Sequence, residues 1–250
     1  MWQGDILIRT IEELSMNAWP AMRTLNYDGW VLRFADGYTK RANSVYPLYP
    51  SEMDLNEKIE FCESFYRDQS LPAAFKMTAA STPPKLDARL EKRGYRAVSH
   101  TSLQLLDLAQ EKYETKGNVE LASKDTEAWH AAFARMNNVN PTYRVTHENI
   151  LRAILPDKCY VAVRMDGHII GCGLGVLQAG YLGIFDIVID SEHHRQGNGT
   201  GLMQSLLAWG AQQGAHTAYL QVMCNNQPAL RLYEKLGFEE KYQYWYRIKP

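Results

Sequence analysis

The sequence predicts an α/β fold, in which a mixed β-sheet is flanked by helices. From residue 118 to residue 248, strand-like and helix-like patterns alternate along the chain. An antiparallel meander comes first and strand–helix alternation follows, an order typical of a mixed α/β layer. The first half ends in a similar order of elements. We therefore expect two tandem halves of the same type.

The second half contains nine predicted elements. Asp166-Gly167 is the expected hairpin turn, and the nearly all-apolar strand 181–190 is expected at the centre of its sheet. Thr146 is the expected N-cap of the second helix, and Gly237 is expected to close the last one. In order, the elements are a strand over 118–123, helices over 125–138 and 146–155, a hairpin over 159–180, a strand over 181–190, a helix over 201–214, a strand over 217–223, a helix over 227–238 and a strand over 239–248.

The first half repeats part of this order. It is predicted to contain a hairpin over 29–48 turning at Asp36-Gly37, a helix over 57–68, a strand over 73–79, a helix over 84–95 and a strand over 98–108. Residues 91–95 (EKRGY) align with residues 234–238 (EKLGF) around a shared glycine. This match indicates an internal duplication, although a generic helix end would give the same pattern. Residues 39–47 fit a pocket wall or a hairpin edge, and we favour the edge.

The charged, weakly periodic segment 109–118 is the expected boundary between the halves. The predicted domains are therefore 1–112 and 118–250. The net charge of −1 is spread evenly, which disfavours a nucleic-acid partner. Charged residues interrupt the apolar N-terminus, and no run is long enough to cross a bilayer, so we expect no signal peptide and no membrane partner. The four cysteines show no metal-ligand spacing. A cytoplasmic monomer or homodimer with reduced thiols and no metal is expected.

A glycine-rich turn lies at residues 193–203 (HHRQGNGTGLM), between a predicted core strand and a helix. It is not a P-loop, because no lysine follows Gly201. It is not a dinucleotide-binding turn either, since Gly197 and Gly199 fit but Leu202 stands where the third glycine should be. Glycines let the backbone approach a phosphate, and free N–H groups at a helix N-terminus attract it. The alternative is a strand-to-helix turn that simply needs glycine.

Two motifs together resemble the GNAT superfamily of N-acetyltransferases. His194-x-x-Gly197-x-Gly199 is similar to the family's [QR]xxGx[GA] turn for acetyl-coenzyme A, with His194 replacing Arg or Gln. Downstream, Asn226-x-x-Ala229-x-x-LYEKLGF is similar to the family's second signature. The resemblance covers about residues 118–250 and implies a GNAT-like fold for that region.

The resemblance implies a sheet that splays between strands 181–190 and 217–223, with the pantetheine arm in the gap. The arm would bond backbone groups at Ile187, Val188 and Ile189, where an N–H would polarise the thioester carbonyl. Asn226 occupies the family position that contacts the arm near its amides. The pyrophosphate would be bound at the turn by the backbone N–H groups of Arg195, Gln196, Gly197, Asn198, Gly199 and Thr200, with local positive charge from His194 and Arg195.

The resemblance also implies two catalytic residues. Tyr233 would protonate the departing thiolate of coenzyme A, since a phenol can act as a proton donor at neutral pH. Asp186 is the candidate general base for the ammonium group of the acceptor, and Glu192 and His193 are the runners-up. The alternatives are an ordinary aromatic on an amphipathic helix for Tyr233, and a strand-end salt bridge for Asp186.

The first half lacks the corresponding residues. Leu90 stands in the aligned position of Tyr233, and residues 42–58 contain no glycine. We therefore expect a degenerate GNAT-like half. The predicted function is transfer of the acetyl group of acetyl-CoA to a primary amine of a small molecule or peptide. A non-catalytic acyl-CoA sensor or scaffold is the alternative, and an interaction protein that uses its tyrosines has no positioned feature in its favour.

Overall fold

The computed structural model describes residues 3–109 and 113–249, with seven α-helices and eleven strands in these ranges. Residues 110–112, within the expected domain boundary, lie outside the described residues. The first half contains α1 (Gln3–Ala18), β1 (Arg23–Tyr27), β2 (Trp30–Phe34), β3 (Val45–Pro47), α2 (Leu55–Asp68), β4 (Ala74–Met77), α3 (Leu86–Lys92) and β5 (Arg96–Asp107). The second half contains β6 (Val119–Ala122), α4 (Glu127–Met136), α5 (Arg144–Arg152), β7 (Asp157–Met165), β8 (His168–Gln178), β9 (Tyr181–Ile189), α6 (Asn198–Gln212), β10 (Thr217–Met223), α7 (Gln227–Lys235) and β11 (Glu239–Ile248).

The described chain forms two compact units that do not follow the sequence order completely. Unit 1 contains residues 3–102, 149–153 and 242–249. Unit 2 contains residues 103–109, 113–148 and 154–241. Most of β11 thus belongs to unit 1, and the last five residues of β5 belong to unit 2.

Unit 1 has the strand order β1-β2-β3-β4-β11. The first three strands are antiparallel neighbours, β3 and β4 are parallel, and β4 and β11 are antiparallel. Its core packs aromatic and aliphatic side chains of the strands against α2 and α3, with Trp30, Phe75, Ile59 and Leu90 all fully buried. Burial of this apolar surface is the main stabilising contribution in the unit.

Unit 2 has the strand order β5-β10-β9-β8-β7-β6. Strands β6 to β9 are antiparallel neighbours, and β9 pairs with β10 in parallel. Helix α6 supplies Leu202 and Leu206 to the core beside Val161 and Leu182. A Cβ added at Gly210 would lie 2.6 Å from Leu182 Cδ2, so glycine allows the close approach of α6 to β9.

The two halves repeat elements at one fixed spacing. Helices α2 and α6, strands β4 and β10, and strands β5 and β11 each begin 143 residues apart, at 55 and 198, 74 and 217, and 96 and 239. Helices α3 and α7 end in the same way, because Gly94 and Gly237 adopt φ values of +86° and +87°. The predicted α/β class with two GNAT-like halves is confirmed by this architecture.

Several local predictions differ from the structure. Thr146 is not an N-cap but a buried residue inside α5, because Asn140 and Pro141 start a short 3₁₀ turn that runs into the helix. Helix α6 begins at Asn198 and not at Gly201. Residues 39–47 are not an edge, since β3 lies between β2 and β4. Helix α1 and strand β1 were not predicted.

Candidate functional site

The parallel strands β9 and β10 diverge at their carboxyl ends. Their pairing runs from Tyr181 and Thr217 to Ile184 and Leu220 and then stops. Strand β9 continues for five residues beyond the last pair and β10 for three. This is the splay expected between the two strands. It leaves Ile187, a half-buried residue, on the diverging part of β9.

A β-bulge lies on the diverging part of β9. The register between β8 and β9 shifts between the pairs Leu174–Phe185 and Cys172–Val188, so Asp186 and Ile187 both face one residue of β8. Asp186 has a φ of +53°, a left-handed conformation that few non-glycine residues adopt. Bulges redirect side chains and are frequent beside active sites. Here the bulge interrupts the strand two residues beyond Ile184.

The glycine turn places an open helix N-terminus next to this strand. Gly197 is the N-cap of α6 in a left-handed conformation, with φ of +84° and no side-chain cap. A Cβ added at Gly197 would have no heavy atom within 4 Å. Among the described residues, the backbone N–H groups of 198–200 make no hydrogen bond. Such groups, together with the helix dipole, form a site for an anion.

Side chains of the turn stabilise its conformation. His194 Nε2 lies 2.8 Å from the carbonyl oxygen of Ile189, a contact in which the imidazole donates. Asn198 Nδ2 donates to the carbonyl oxygen of His193 at 3.1 Å, and Gln196 Nε2 donates to that of Glu192 at 3.2 Å. These three side chains therefore hold the turn. Among the described residues, the side chains of the exposed Arg195, with φ of +60°, and of the half-buried Thr200 make no hydrogen bond within it.

The first turn of α6 lies close to both β9 and α7. A Cβ added at Gly199 would lie 3.4 Å from Leu232 Cδ2 and 3.8 Å from Ile189 Cγ1. Leu232 precedes Tyr233, which is 8% exposed and packs edge-on against Phe238. The turn, the diverging strand and the helix of Tyr233 thus meet in unit 2.

Burial determines the protonation state of the Tyr233 hydroxyl. It raises the pKa of the phenol to about 12, so the hydroxyl is protonated throughout the neutral range. Among the residues that the structure describes, the hydroxyl has no hydrogen-bond partner. A protonated, unengaged phenol can donate to a ligand atom.

Asn226 has a structural contact that the sequence analysis did not assign. It is the N-cap of α7, and its Oδ1 accepts a hydrogen bond from the N–H of Ala229 at 3.3 Å. The residue is exposed, so its amide group remains accessible from solvent.

Asp186 is paired with a residue that the sequence analysis missed. Its Oδ2 lies 2.9 Å from His147 Nε2, and the two side chains are 7% and 3% exposed. The runner-up Glu192 is exposed, and His193 lies in the short 3₁₀ helix before the turn. No sequence signal identifies the pair, because 39 residues separate its members.

The chain matches the model of a known protein family. The profile of the family described as "probable histone acetyltransferase Rv0428c C-terminal" matches residues 6–247, nearly the whole chain. The chain belongs to this family. It is a GNAT N-acetyltransferase and therefore a transferase.

Similar proteins match this chain over most of their length. An uncharacterised N-acetyltransferase, YobR of Bacillus subtilis, is 29% identical over 246 residues, covering 97% of this chain and 98% of YobR. A GCN5-related N-acetyltransferase from Kribbella flavida has a similar structure, with a TM-score of 0.69, 18% identity and coverage of 97% and 95%. A tandem GNAT protein from the clavulanic acid biosynthesis pathway matches with a TM-score of 0.69, 13% identity and coverage of 95% and 86%. The last two similarities concern the fold alone.

Neither a membrane-spanning helix nor a metal cluster is found in the described ranges. None of the helices there has the length and apolar content that crossing a bilayer requires. No three His, Cys, Asp or Glu side chains in residues 3–109 and 113–249 are grouped to hold a metal ion.

Proposed function

We propose that this GNAT protein transfers the acetyl group of acetyl-CoA to a primary amine of a small molecule or peptide. Tyr233 is the general acid and Asp186 the general base of a direct transfer. The proposed catalytic half is 118–250, and 1–112 is the proposed degenerate half. The observation that carries the proposal is the uncapped N-terminus of α6 beside two diverging strands.

The residues of the turn fit the pyrophosphate of the donor. The N–H groups of residues 198–200 are unengaged, and the space above Gly197 is open. His194 is fixed on the carbonyl of Ile189, which leaves Arg195 as the exposed cation of the turn. Beyond the turn, the backbone at Ile187, Val188 and Ile189 would bind the extended arm of the donor along the strand edge.

Three proton transfers complete the reaction. As the neutral amine nitrogen bonds to the acetyl carbon and the carbon–sulfur bond breaks, the Tyr233 hydroxyl gives its proton to the sulfur. The second proton that the nitrogen loses on becoming an amide returns to the Tyr233 phenolate, directly or through water. Asp186 accepts a proton from the ammonium group of the acceptor, which releases the lone pair for attack. A backbone N–H on the diverging part of β9 stabilises negative charge on the acetyl oxygen.

The buried cysteines favour direct transfer over an acyl-cysteine route. Burial raises the pKa of Cys172 to about 12 and that of Cys159 to about 11. The thiolate is the nucleophilic form of cysteine, and it is scarce at neutral pH when the pKa is this high. Burial also raises the pKa of the half-buried Cys224 directly after β10, so direct transfer from donor to amine is proposed.

The acceptor is proposed at the level of chemical class. The near-neutral net charge does not favour a strongly charged polymer over other amines. The description of the family names a probable histone acetyltransferase, which supports including peptide amines beside small molecules.

The test is steady-state release of free thiol from acetyl-CoA with a panel of amines that includes peptides. Turnover that requires both acetyl-CoA and an amine is expected. Binding of acetyl-CoA by calorimetry without turnover on any amine would favour an acyl-CoA sensor instead.

A further inference from the structure

The contact between His147 and Asp186 joins two residues of unit 2 at the bulge. His147 lies on α5 and Asp186 on β9, and both side chains are more than nine-tenths buried. A carboxylate can only accept a hydrogen bond, so Nε2 of His147 carries the proton in this 2.9 Å contact. The other carboxylate oxygen, Oδ1, makes no hydrogen bond to the described residues. One oxygen of Asp186 is therefore anchored and the other is available.

The imidazole ring of His147 is held in orientation by aromatic side chains of α4. It stacks on Phe133 with 4.5 Å between ring centroids and an interplanar angle of 14°. The ring of Trp129 is nearly parallel to it at 6.5 Å. Packing of this kind restricts rotation of the ring, so Nε2 stays directed at Asp186.

Other titratable and charged groups surround the pair. They come from α4, the segment before it and β8: His130, Asp125, Arg135 and Cys172. The ring of His130 is edge-on to that of His147 at 6.1 Å and is itself paired with Asp125 at 2.6 Å. Arg135 forms an ion pair with Asp190, which directly follows β9. Burial raises the pKa of the Cys172 thiol and so keeps it protonated. Asp186 therefore faces His147 as its one direct partner among the described side chains.

We propose that His147 is a positioning residue that fixes Asp186 at the bulge as the proton acceptor for the amine substrate. This inference rests on the proposed function. The nitrogen–hydrogen bond of the ammonium breaks, and a new oxygen–hydrogen bond forms at Asp186 Oδ1, directly or through one water. Oδ2 keeps its hydrogen bond to His147 throughout the transfer. His147 thus orients the base, as third groups orient the bases of other catalytic sites.

Two variants separate positioning from packing. His147→Phe keeps an aromatic ring against Phe133 but removes the donor. His147→Gln loses the ring but offers an amide N–H to Asp186. His168→Phe is the matched control, because His168 is exposed on the hairpin between β7 and β8.

The measurement is the pH profile of kcat/KM with acetyl-CoA and an amine found by the panel. Loss of the donor destabilises the charged carboxylate, so the acidic limb for His147→Phe should move to higher pH by about one unit. Its kcat should fall about tenfold or more, while the KM for acetyl-CoA stays unchanged. His147→Gln should restore both the limb and kcat towards the wild type. In an Asp186→Asn background, His147→Phe should have no further effect on kcat.

Several outcomes would overturn the inference. One is a wild-type profile for His147→Phe, and another is an equal loss in both variants accompanied by an equal fall in melting temperature. A further contradiction is an additive effect of His147→Phe in the Asp186→Asn background.

Failure of the proposed function is distinguishable from failure of this inference. If the wild type releases no thiol with any amine at any pH, the transfer reaction itself is wrong. NMR titration of ¹³C-labelled aspartate in the free protein then decides the pairing. The Asp186 carboxyl signal, assigned with Asp186→Asn, should titrate at higher pH in His147→Phe than in His147→Gln. Identical titration in both would overturn the pairing.

Discussion

Helices α2 and α6 begin at equivalent positions in the two halves, but only α2 has a side chain that caps its N-terminus. In α2, Asp54 is the N-cap, and its Oδ1 accepts hydrogen bonds from the N–H groups of Asn56 at 2.8 Å and Glu57 at 3.2 Å. In α6, Gly197 leaves the corresponding groups unengaged. A capping carboxylate stabilises the helix and repels a phosphate, whereas a glycine leaves the dipole available for one.

The ends of the parallel strands differ in the same sense. In unit 1, the chain after β4 returns to the chain after β3. The N–H of Thr82 donates to the carbonyl of Pro47 at 2.8 Å, and its Oγ1 donates to that of Tyr49 at 2.5 Å. Trp30 Nε1 donates to the carbonyl of Thr82 at 2.9 Å. In unit 2, the pairing of β9 with β10 simply ends at Ile184. Hydrogen bonds thus close the chain beyond the parallel strands in unit 1, whereas the parallel strands of unit 2 diverge.

The largest effect should come from Gly197→Glu. The substitution fills the open space at the turn and adds negative charge, so we expect it to abolish acetyl-CoA binding by calorimetry. Gly214→Glu is the control, because Gly214 at the other end of α6 has φ of +88° and also has no atom within 4 Å of an added Cβ. Both variants carry the same backbone strain. Unchanged affinity in Gly197→Glu would remove the turn from the site.

Replacement of Tyr233 by Phe should lower kcat about 100-fold or more and leave the KM for acetyl-CoA nearly unchanged. Since the pKa of Tyr233 is about 12, its acid form is present below that value, and loss of this proton should reduce kcat only as the pH approaches 12. Leu90→Met, at the equivalent position of unit 1, is the control with kcat preserved. An unchanged rate in Tyr233→Phe would assign the acid to another group.

Lys76→Met should show that the buried ion pair of unit 1 contributes to stability and not to catalysis. Burial opposes the charge of Lys76, but the adjacent Glu12, together with Tyr46 and Tyr244, more than offsets this and raises the lysine pKa. The variant removes the cation beside the buried Glu12 and leaves it only the hydrogen bond from Tyr242, so the free energy of unfolding in urea should fall by about 3–5 kcal/mol. Glu12→Gln combined with Lys76→Met should recover much of this loss. A lower kcat in Lys76→Met without a lower free energy of unfolding would contradict the assignment of this ion pair to stability.

Asp54→Ala tests whether the N-cap of α2 is the only feature that keeps unit 1 from binding acetyl-CoA. Loss of the cap should cost about 1 kcal/mol of stability, seen as a lower melting temperature. The calorimetric stoichiometry should stay at one acetyl-CoA per chain, since the bonds of Thr82 still close the strands of unit 1. A second binding event would show that unit 1 retains a usable site.

The smallest effect is expected at Asn226. Asn226→Ala removes the N-cap of α7 and should cost about 1 kcal/mol of stability, whereas Asn226→Asp keeps the cap. If the amide also contacts the donor, both variants should raise the KM for acetyl-CoA, while only the alanine variant lowers the melting temperature. A KM that is unchanged in Asn226→Asp would leave Asn226 with its capping role alone.

Local signals determined much of this fold from the sequence. Strands β10 and β11 were predicted with the bounds that the structure has, since alternating apolar residues and flanking turns are local features. The left-handed glycines at 197 and 237 were likewise predictable, because only glycine adopts that conformation without strain. The roles of the site residues at and beside these positions remain predictions.

The tertiary structure alone decided which elements are neighbours. Most of β11 belongs to unit 1 although its sequence follows the second half, because periodicity shows which face of a strand is buried but not its partner. His147 and Asp186 meet across 39 residues, and Lys76 and Glu12 across 64. A buried polar side chain needs a partner, but the sequence does not specify which of the distant candidates folding will bring within 3 Å.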